Sequence, residues 1–371
     1  MVSITPFSFS PSYVLDSIFY FKKGKNFEKR DYTISAIVPA RNEERNIGKC
    51  LDSLISQLYE IEKIIVVNDG STDKTGEIVK SYESQKVKVI ENEKSLGKTA
   101  SITKALKYVE SYITLFVDGD TYLKENFTDE IRTPFSDEKV AGATGTIFSQ
   151  KSEFSFIENA RLVEYIYYQY FRKVGQSNRR ALYTVAGCAS AFRTKLLKEY
   201  GIPRRSVTED TDLTWFFQER GYDIIYWPEA IAYTKEPKNF RSLLSQLNRW
   251  YSGMWQNLYI HGENIVKGKK PRLATTVWLQ VGENLIFSLF WLSLPLLLYF
   301  YPDWGTSFLI MDSLSLLVPN LYHANKLKMV KKVAKSLPYY YLLRTMNTIA
   351  AIKGFFQTSY EWLKGKREWS H

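Results

Sequence analysis

Short apolar runs alternate with amphipathic stretches over the first third of the chain. Four of these runs have the length and β-branched content of buried strands. They begin at Ile34, Ile64, Val87 and Ile113. Between them, apolar residues recur at helical spacing over 46–58, 72–82 and 98–108. This alternation predicts a parallel sheet covered by helices, in which ligands bind at the carboxyl ends of the strands.

The pattern is less regular after residue 120. It predicts strands over 140–147, 182–192 and 223–227, and helices over 154–171, 211–220 and 242–258. The last of these helices is amphipathic and rich in aromatic residues.

The carboxyl-terminal part of the chain is far more apolar. Residues 273–301 are long enough to cross a bilayer, although Glu283 interrupts them and an acidic residue at that depth needs a reason. Residues 304–322 are a weaker candidate, and residues 339–362 carry basic residues that favour an interfacial or re-entrant helix. The basic stretch 326–335 marks the cytoplasmic side. The expectation is a multi-pass protein of the cell membrane whose preceding domain is cytoplasmic.

These patterns predict three regions. A basic and aromatic arm covers 1–30, and a catalytic domain covers 31–262 and includes the amphipathic helix 242–258. A membrane region with two to three apolar helices covers 271–371. No small-residue cleavage site follows the short apolar stretch near the amino terminus, so a secretory signal peptide is not expected.

Composition narrows the function classes. The chain has 371 residues, of which 45% are hydrophobic and 24% charged, enough to build a packed core. Its net charge of +11 and its 15% aromatic content suit a membrane surface or phosphorylated ligands. No RNA-binding pattern of basic and aromatic residues occurs, so nucleic acid is not an expected partner. Two cysteines are too few for a disulfide framework, and three histidines argue against a histidine-rich metal site.

Acidic residues follow two of the predicted strands. Asp69 lies in a turn after the second strand, and Asp118 and Asp120 flank Gly119 after the fourth. Two carboxylates so close at the mouth of a sheet can share a hard cation, because Mg²⁺ prefers one or two carboxylates plus phosphate oxygens. Each motif is equally compatible with a tight turn that caps a helix.

Two further motifs lie later in the chain. Glu209 and Asp210 precede a predicted helix, where a carboxylate could accept a proton from an attacking hydroxyl or only cap the helix. Gln246, Arg249 and Trp250 lie on the amphipathic helix. Arginine matches phosphate geometry and tryptophan offers a flat surface to a sugar, but an interfacial helix facing headgroups would also carry them.

The order and spacing of these motifs resemble the family 2 glycosyltransferases, especially the cellulose, chitin and hyaluronan synthase branch. That family has a Pro-x-x-Asn-Glu opening, an Asp-Gly-Ser turn, an Asp-x-Asp, a Thr-Glu-Asp and a Gln-x-x-Arg-Trp. The chain has all five, at Pro39–Glu43, Asp69–Ser71, Asp118–Asp120, Thr208–Asp210 and Gln246–Trp250. The resemblance covers about residues 34–260. It implies an α/β, GT-A-like fold: a nucleotide-sugar-binding, mainly parallel sheet with helices on both faces, followed by interfacial and transmembrane helices.

The resemblance implies a role for each motif residue on the donor side. The residues that would bind the nucleotide-sugar are Asp69, Asp118, Lys98, Glu43 and Arg249. Asp120 would hold the Mg²⁺ or Mn²⁺ that bridges the diphosphate. UDP is favoured over GDP only because the family commonly uses it.

On the acceptor side, the resemblance makes Asp210 the general base. Trp250, Gln246, Glu209 and Cys188 would line or place the acceptor site, although Cys188 stands where the family has glycine or threonine. One displacement at the anomeric carbon would invert its configuration.

Three functions remain open. The short membrane part favours transfer to a lipid-linked or short glycan acceptor, which needs no channel. The Gln-x-x-Arg-Trp motif favours a processive polysaccharide synthase, which would need a homo-oligomer to form a pore from so few helices. A catalytically silent membrane scaffold would be expected to have lost one of the carboxylates.

Overall fold

The computed structural model describes residues 27–150, 156–267 and 270–369. Most of the arm predicted over 1–30 lies outside these residues, as does the start of the helix predicted over 154–171. The chain divides into two compact units. The sheet unit comprises the described parts of 24–150, 184–235 and 368–371, and the helical unit those of 151–183 and 236–367.

The sheet unit contains an eight-stranded sheet. Its strands are β1 (Ile34–Ala40), β2 (Lys63–Asp69), β3 (Val87–Asn92), β4 (Ile113–Val117), β5 (Tyr122–Leu123), β6 (Val140–Ser149), β7 (Ala189–Arg193) and β8 (Asp223–Thr234). They lie in the order β3-β2-β1-β4-β7-β6-β8-β5. The first four strands are parallel, so their carboxyl ends meet at one edge, where Asp69 and Asp118 lie.

The sheet is mixed but mainly parallel, as predicted: six strands run in one direction, and β5 and β7 run in the other. Strand β7 is antiparallel to both of its neighbours, β4 and β6. Between β6 and β7 the chain passes through the first helices of the helical unit. The predicted strand 182–192 is also shorter than expected, since only Ala189–Arg193 pairs.

The helices of the sheet unit are α1 (Ile47–Ile55), α2 (Thr75–Ser81), α3 (Lys98–Leu106), α4 (Phe127–Ile131), α7 (Thr194–Tyr200) and α8 (Glu209–Glu219). Apolar spacing explains how α1 packs. Its buried side chains Ile47, Cys50, Leu51 and Leu54 recur every three or four residues and join the core cluster of the sheet.

The helical unit begins with α5 (Phe156–Tyr165), which runs through a π-helical stretch (Ile166–Lys173) into α6 (Val174–Asn178). It continues with α9 (Phe240–Val266), α10 (Pro271–Gly282), a second π-helical stretch (Glu283–Phe287), α11 (Ser288–Phe300), α12 (Pro302–Lys326) and α13 (Val330–Leu363). A capping box between Asn239 and Ser242 begins α9, because each side chain bonds the backbone N–H of the other residue.

Buried ion pairs explain the charges within the apolar helices. Glu283 pairs with Arg172, and each of these buried residues lies in one of the two π-helical stretches. Arg344 on α13 donates to Asp312 on α12, with 2.6 Å between Nη2 and Oδ1, and both side chains are fully buried. Removing one partner of such a pair typically costs about 3–5 kcal/mol, since the other charge is left uncompensated.

Among the helices described, one segment, Pro271–Phe300, is long and apolar enough to cross a membrane. Most of its surface is exposed, including Trp278, Ile286 and Leu289. The segments predicted over 304–322 and 339–362 are helical but do not meet that criterion, so the structure does not support the expected second crossing. Residues 236–262, which the sequence assigns to the catalytic domain, group with the helical unit.

Candidate active site

The Asp69 carboxylate is held by a complete set of donors at the end of β2. Oδ1 accepts from Asn92 Nδ2 and the Leu96 N–H, both at 2.8 Å. Oδ2 accepts from Ser95 Oγ at 2.8 Å and the Gly97 N–H at 2.9 Å. Burial alone would raise the pKa of Asp69, but these hydrogen bonds outweigh it and lower the pKa to about 2. Asp69 therefore fixes the loop that leads into Lys98; its predicted contact with the nucleotide stays a prediction.

Gly70 allows the loop before Lys98 to lie close against the turn that follows β2. Its φ is +64°, and a Cβ there would lie 2.6 Å from the Ser95 backbone nitrogen. The adjoining turn is joined to the Pro39–Glu43 loop, where Asn42 Oδ1 accepts from the Thr72 N–H at 2.8 Å. Asn42 has a φ of +56°, a left-handed conformation that asparagine tolerates better than most residues. Sequence reasoning did not single out Asn42, Asn92 or Ser95 as site residues.

Lys98 begins α3 and faces the carboxylates of two other motifs. Its Nζ lies 2.6 Å from Asp118 Oδ1 and 3.3 Å from Glu209 Oε1, and it donates to the Gly187 carbonyl at 2.9 Å. Burial alone would lower the pKa of Lys98, but Asp118, Glu209 and Asp210 raise it above its ordinary value. Lys98 is thus a permanent cation shared by the carboxylates that follow β4 and begin α8.

Asp120, after β4, lies in an acidic corner of the site. Burial, followed by the negative charges of Asp118 and Glu43, raises the pKa of Asp120 to about 7. Burial also raises the pKa of Glu43, which accepts from Asn46 Nδ2 at 2.6 Å. A carboxylate whose pKa is raised by neighbouring negative charges gains from a bound cation.

These residues fit Mg²⁺ or Mn²⁺ by their chemistry. Glu43, Asp118 and Asp120 offer only hard oxygen donors, the type that Mg²⁺ takes alongside phosphate oxygens and water. Within the described part of the chain, no three histidine, cysteine, aspartate or glutamate side chains are already gathered as a metal cage. Mg²⁺ commonly binds through one or two carboxylates together with the phosphates of a substrate.

Asp210 lies against Gly187 at the start of α8. A Cβ at Gly187 would be 2.9 Å from Asp210 Oδ2 and 3.5 Å from Lys98 Nζ, so a larger residue there would displace the Asp210 carboxylate. The neighbouring carbonyl of Cys188 accepts from the Asp118 N–H at 3.1 Å, which ties β7 to the end of β4. The acceptor role predicted for Cys188 stays a prediction, and the structure adds the close contact of Gly187 with Asp210.

The start of α8 is anchored by an ion pair below the site. Arg205 Nη2 lies 2.5 Å from Asp212 Oδ1, and Asp212 is fully buried. Thr214 Oγ1 donates to the Asp210 carbonyl at 2.6 Å. These contacts limit the motion of the first turn of α8 and hold Glu209 and Asp210 in place.

The structure therefore brings together six of the predicted site residues in the sheet unit. They are Glu43, Lys98, Asp118, Asp120, Glu209 and Asp210. Asp69 lies behind them as the support of the Lys98 loop. Cys188 also belongs to the sheet unit and comes just before β7. The remaining three, Gln246, Arg249 and Trp250, lie on α9 of the helical unit, where Arg249 is exposed and the other two are half-buried.

Comparison with known proteins shows which protein family has a sequence like that of the sheet unit. Residues 35–201 match the sequence profile described as Glycosyl transferase family 2. The chain contains a family 2 glycosyltransferase domain. The matched residues include Glu43, Asp69, Lys98, Asp118 and Asp120, whereas Asp210 and the α9 motif lie beyond them.

Two curated relatives are polysaccharide synthases. Poly-beta-1,6-N-acetyl-D-glucosamine synthase from Staphylococcus epidermidis is 26% identical over 75% of this chain and 70% of that protein. Hyaluronan synthase from Streptococcus pyogenes is 27% identical over 68% of this chain and 64% of that protein. The chain therefore contains a glycosyltransferase family 2 domain and is similar to polysaccharide synthases.

A solved structure shares the fold. A mannosyltransferase from Pyrobaculum calidifontis, in complex with GDP-Man and Mn²⁺, aligns with a TM-score of 0.64 at 18% identity. The alignment covers 93% of this chain and 95% of that one. At this identity the likeness shows the fold, a mixed GT-A-like sheet with helices.

Proposed function

We propose that this chain is a membrane-attached, inverting glycosyltransferase that moves a sugar from a UDP-sugar to a lipid-linked or short glycan acceptor. The observation that carries the proposal is the group of carboxylates around Lys98, with Asp118, Glu209 and the Gly187 carbonyl within 3.3 Å of its Nζ. A hydrolase that uses two carboxylates has no need of this shared cation. A transferase whose leaving group is a diphosphate does need it.

The chemistry is a single displacement. The acceptor hydroxyl oxygen forms a bond to the anomeric carbon as the bond from that carbon to the diphosphate oxygen breaks. Asp210 takes the hydroxyl proton, and the electron pair of the broken bond leaves with the nucleoside diphosphate. Lys98 stabilises the charge that develops on this leaving group. A divalent cation held by Asp120 would neutralise more of that charge when bound.

Membrane attachment rests on the apolar segment Pro271–Phe300, whose exposed side chains include Trp278, Ile286 and Leu289. A lipid acceptor is confined to the bilayer surface, so an anchored enzyme meets it at high local concentration. We place the catalytic domain on the cytoplasmic side, where the basic stretch 326–335 is expected to lie.

A second function is favoured by the relatives. The two relatives are named as synthases. The corresponding activity of this chain would be the polymerisation of sugars. The helices that the structure describes include one candidate span, so we propose that export of a polymer would use a homo-oligomer.

The experiment is a donor screen on the full chain in a membrane mimic, supplied with a lipid extract. UDP or GDP release is recorded for UDP-N-acetylglucosamine, UDP-glucuronic acid, UDP-glucose and GDP-mannose with Mg²⁺ or Mn²⁺, and products are weighed by mass spectrometry. A single sugar added to a lipid supports the proposal. A ladder of lengths supports the synthase instead, and no release from any donor would overturn both.

A further inference from the structure

A fully buried arginine contacts the predicted acceptor motif from inside the helical unit. Arg161 on α5 donates from Nη2 to Gln246 Oε1 at 2.9 Å. Its Cζ also lies 4.8 Å from the centroid of the Trp250 ring. Gln246 and Trp250 are four residues apart, hence one above the other on the same face of α9. One planar guanidinium therefore sets the position of both side chains.

Two buried glutamates fix Arg161 in turn. Glu164 forms an ion pair with it one turn along α5, and Glu236 Oε2 lies 3.5 Å from its Nε. Glu164 is itself held by Asn347 Nδ2 on α13, at 2.9 Å. Glu236 accepts from the Tyr165 hydroxyl at 2.7 Å. The guanidinium is thereby held from two sides, and its orientation is transmitted to α9.

Stability alone gives little reason for this cluster. Burying charges costs several kcal/mol per ion, and apolar side chains of similar volume often give equal or greater stability. A buried arginine with two carboxylates does provide directional contacts, since its fork fixes the partners that it binds. The half-buried indole of Trp250 gains a defined ring plane from the cation on its face.

We propose that Arg161 is a positioning residue for the sugar acceptor, acting through Gln246 and Trp250. The inference rests on the proposed function, because it assigns Trp250 to the acceptor side. Arg161 holds the indole plane against which an acceptor sugar stacks and the carboxamide that keeps that indole in place. It has no part in donor binding, which is assigned to the sheet unit and Arg249.

The test separates acceptor use from donor use in Arg161→Lys. Lysine keeps the charge for Glu164 but cannot contact Gln246 and cover the indole together. With UDP-N-acetylglucosamine, or the donor chosen by the screen, UDP release without acceptor should stay within about 2-fold of wild type. The KM for acceptor, titrated as lipid extract, should rise about 10-fold, a loss of about 1.4 kcal/mol.

Arg172→Lys is the matched control. It alters another fully buried arginine of the same unit, whose ion-pair partner is Glu283 rather than a residue near α9. The rate of UDP release without acceptor and the KM for acceptor should both stay within about 2-fold of wild type when the folded fractions are matched. An equal change of acceptor KM in both variants would show a general packing effect and overturn the proposal.

Glu236→Gln keeps the test decisive where Arg161→Lys folds poorly. Glutamine retains an oxygen for the Tyr165 hydroxyl but removes one charge that orients Arg161, so acceptor KM should rise about 3-fold with donor turnover unchanged. Unchanged acceptor KM, or an equal loss of donor turnover, would overturn the positioning role. A wild-type chain that releases no nucleotide from any donor instead refutes the proposed function itself.

Discussion

Lys98 Nζ lies 2.6 Å from Asp118 Oδ1 and 3.3 Å from Glu209 Oε1. One lysine therefore joins the carboxylates of two motifs that are 91 residues apart in the sequence. Asp118 follows β4 and is predicted to bind the donor, and Glu209 begins α8, the helix that carries the proposed base. The lysine is thus the physical link between the donor and acceptor halves of the site.

Lys98→Met should weaken UDP binding in the presence of Mn²⁺ about 10-fold, or about 1.4 kcal/mol. The reason is charge: without this cation, Asp118, Glu209 and Asp210 face the diphosphate as uncompensated anions. Isothermal titration gives the affinity. Lys107→Met, at an exposed position just after the same helix, should bind UDP as wild type does. Unchanged affinity in Lys98→Met would show that the lysine serves only to hold the fold.

Gly187→Ala should lower kcat at least about 10-fold while UDP affinity stays within about 2-fold. The added Cβ would lie 2.9 Å from Asp210 Oδ2, so the carboxylate must move away from the place where it meets the acceptor hydroxyl. Small misplacements of a catalytic group are costly because catalysis depends on orientation. Steady-state kinetics and titration separate the two effects. Gly262→Ala is the control, since nothing lies within 4 Å of its added Cβ; a matching loss there would contradict the explanation.

Much of this site could be predicted from the sequence, because strand ends place their loops at one edge of a parallel sheet. Asp118 and Asp120 follow β4, and Asp210 lies in the first turn of α8. The antiparallel course of β7 could not be predicted, since a five-residue apolar strand carries no direction. Nor could the contact of Gly187 with Asp210 or of Arg161 with Gln246, because both join residues distant in sequence through packing.

The acidic residue in the apolar segment is another feature that the sequence alone could not explain. The sequence indicated only that Glu283 needs a reason, and the reason is Arg172, 111 residues away. Asp312 and Arg344 form a second pair of this kind. Hydropathy counts each charge singly and cannot detect that two of them cancel.

Asp210→Asn should reduce transfer by about 10²–10⁴, the usual contribution of a general base, and leave UDP and Mn²⁺ binding nearly intact. Asparagine keeps the size of the side chain and an oxygen for the Thr211 N–H, which Asp210 Oδ1 accepts at 2.8 Å. Single-turnover transfer and nucleotide titration are the two measurements. Glu209→Gln should lose less activity, because this residue contacts Lys98 without taking the proton. Loss of nucleotide binding in Asp210→Asn would count against the assignment of the base.

Asp120→Asn should weaken UDP binding at least about 10-fold when Mn²⁺ is present and have little effect in EDTA. Asp120 lies in the acidic corner formed with Asp118 and Glu43, where loss of one carboxylate removes both a ligand and a source of repulsion. The quantity to compare between Asp120→Asn and wild type is therefore the gain in UDP affinity on adding Mn²⁺, rather than the affinity with Mn²⁺ or in EDTA alone. Equal UDP affinity with and without Mn²⁺ in the wild-type protein would remove the role of Asp120 as a metal ligand.

Asp69→Asn should destabilise the sheet unit by on the order of 2 kcal/mol at neutral pH, because asparagine cannot accept from all four donors that the carboxylate binds. The folded-state pKa of about 2 lies below the value of about 3.9 expected in the unfolded chain. The carboxylate's contribution is therefore complete above about pH 4 and is lost as the pH falls toward 2. Thermal unfolding of both proteins should show a constant difference in Tm from pH 7 to 5 that narrows below about pH 4. If the difference in Tm already narrows between pH 7 and 6, a group other than Asp69 is responsible for it.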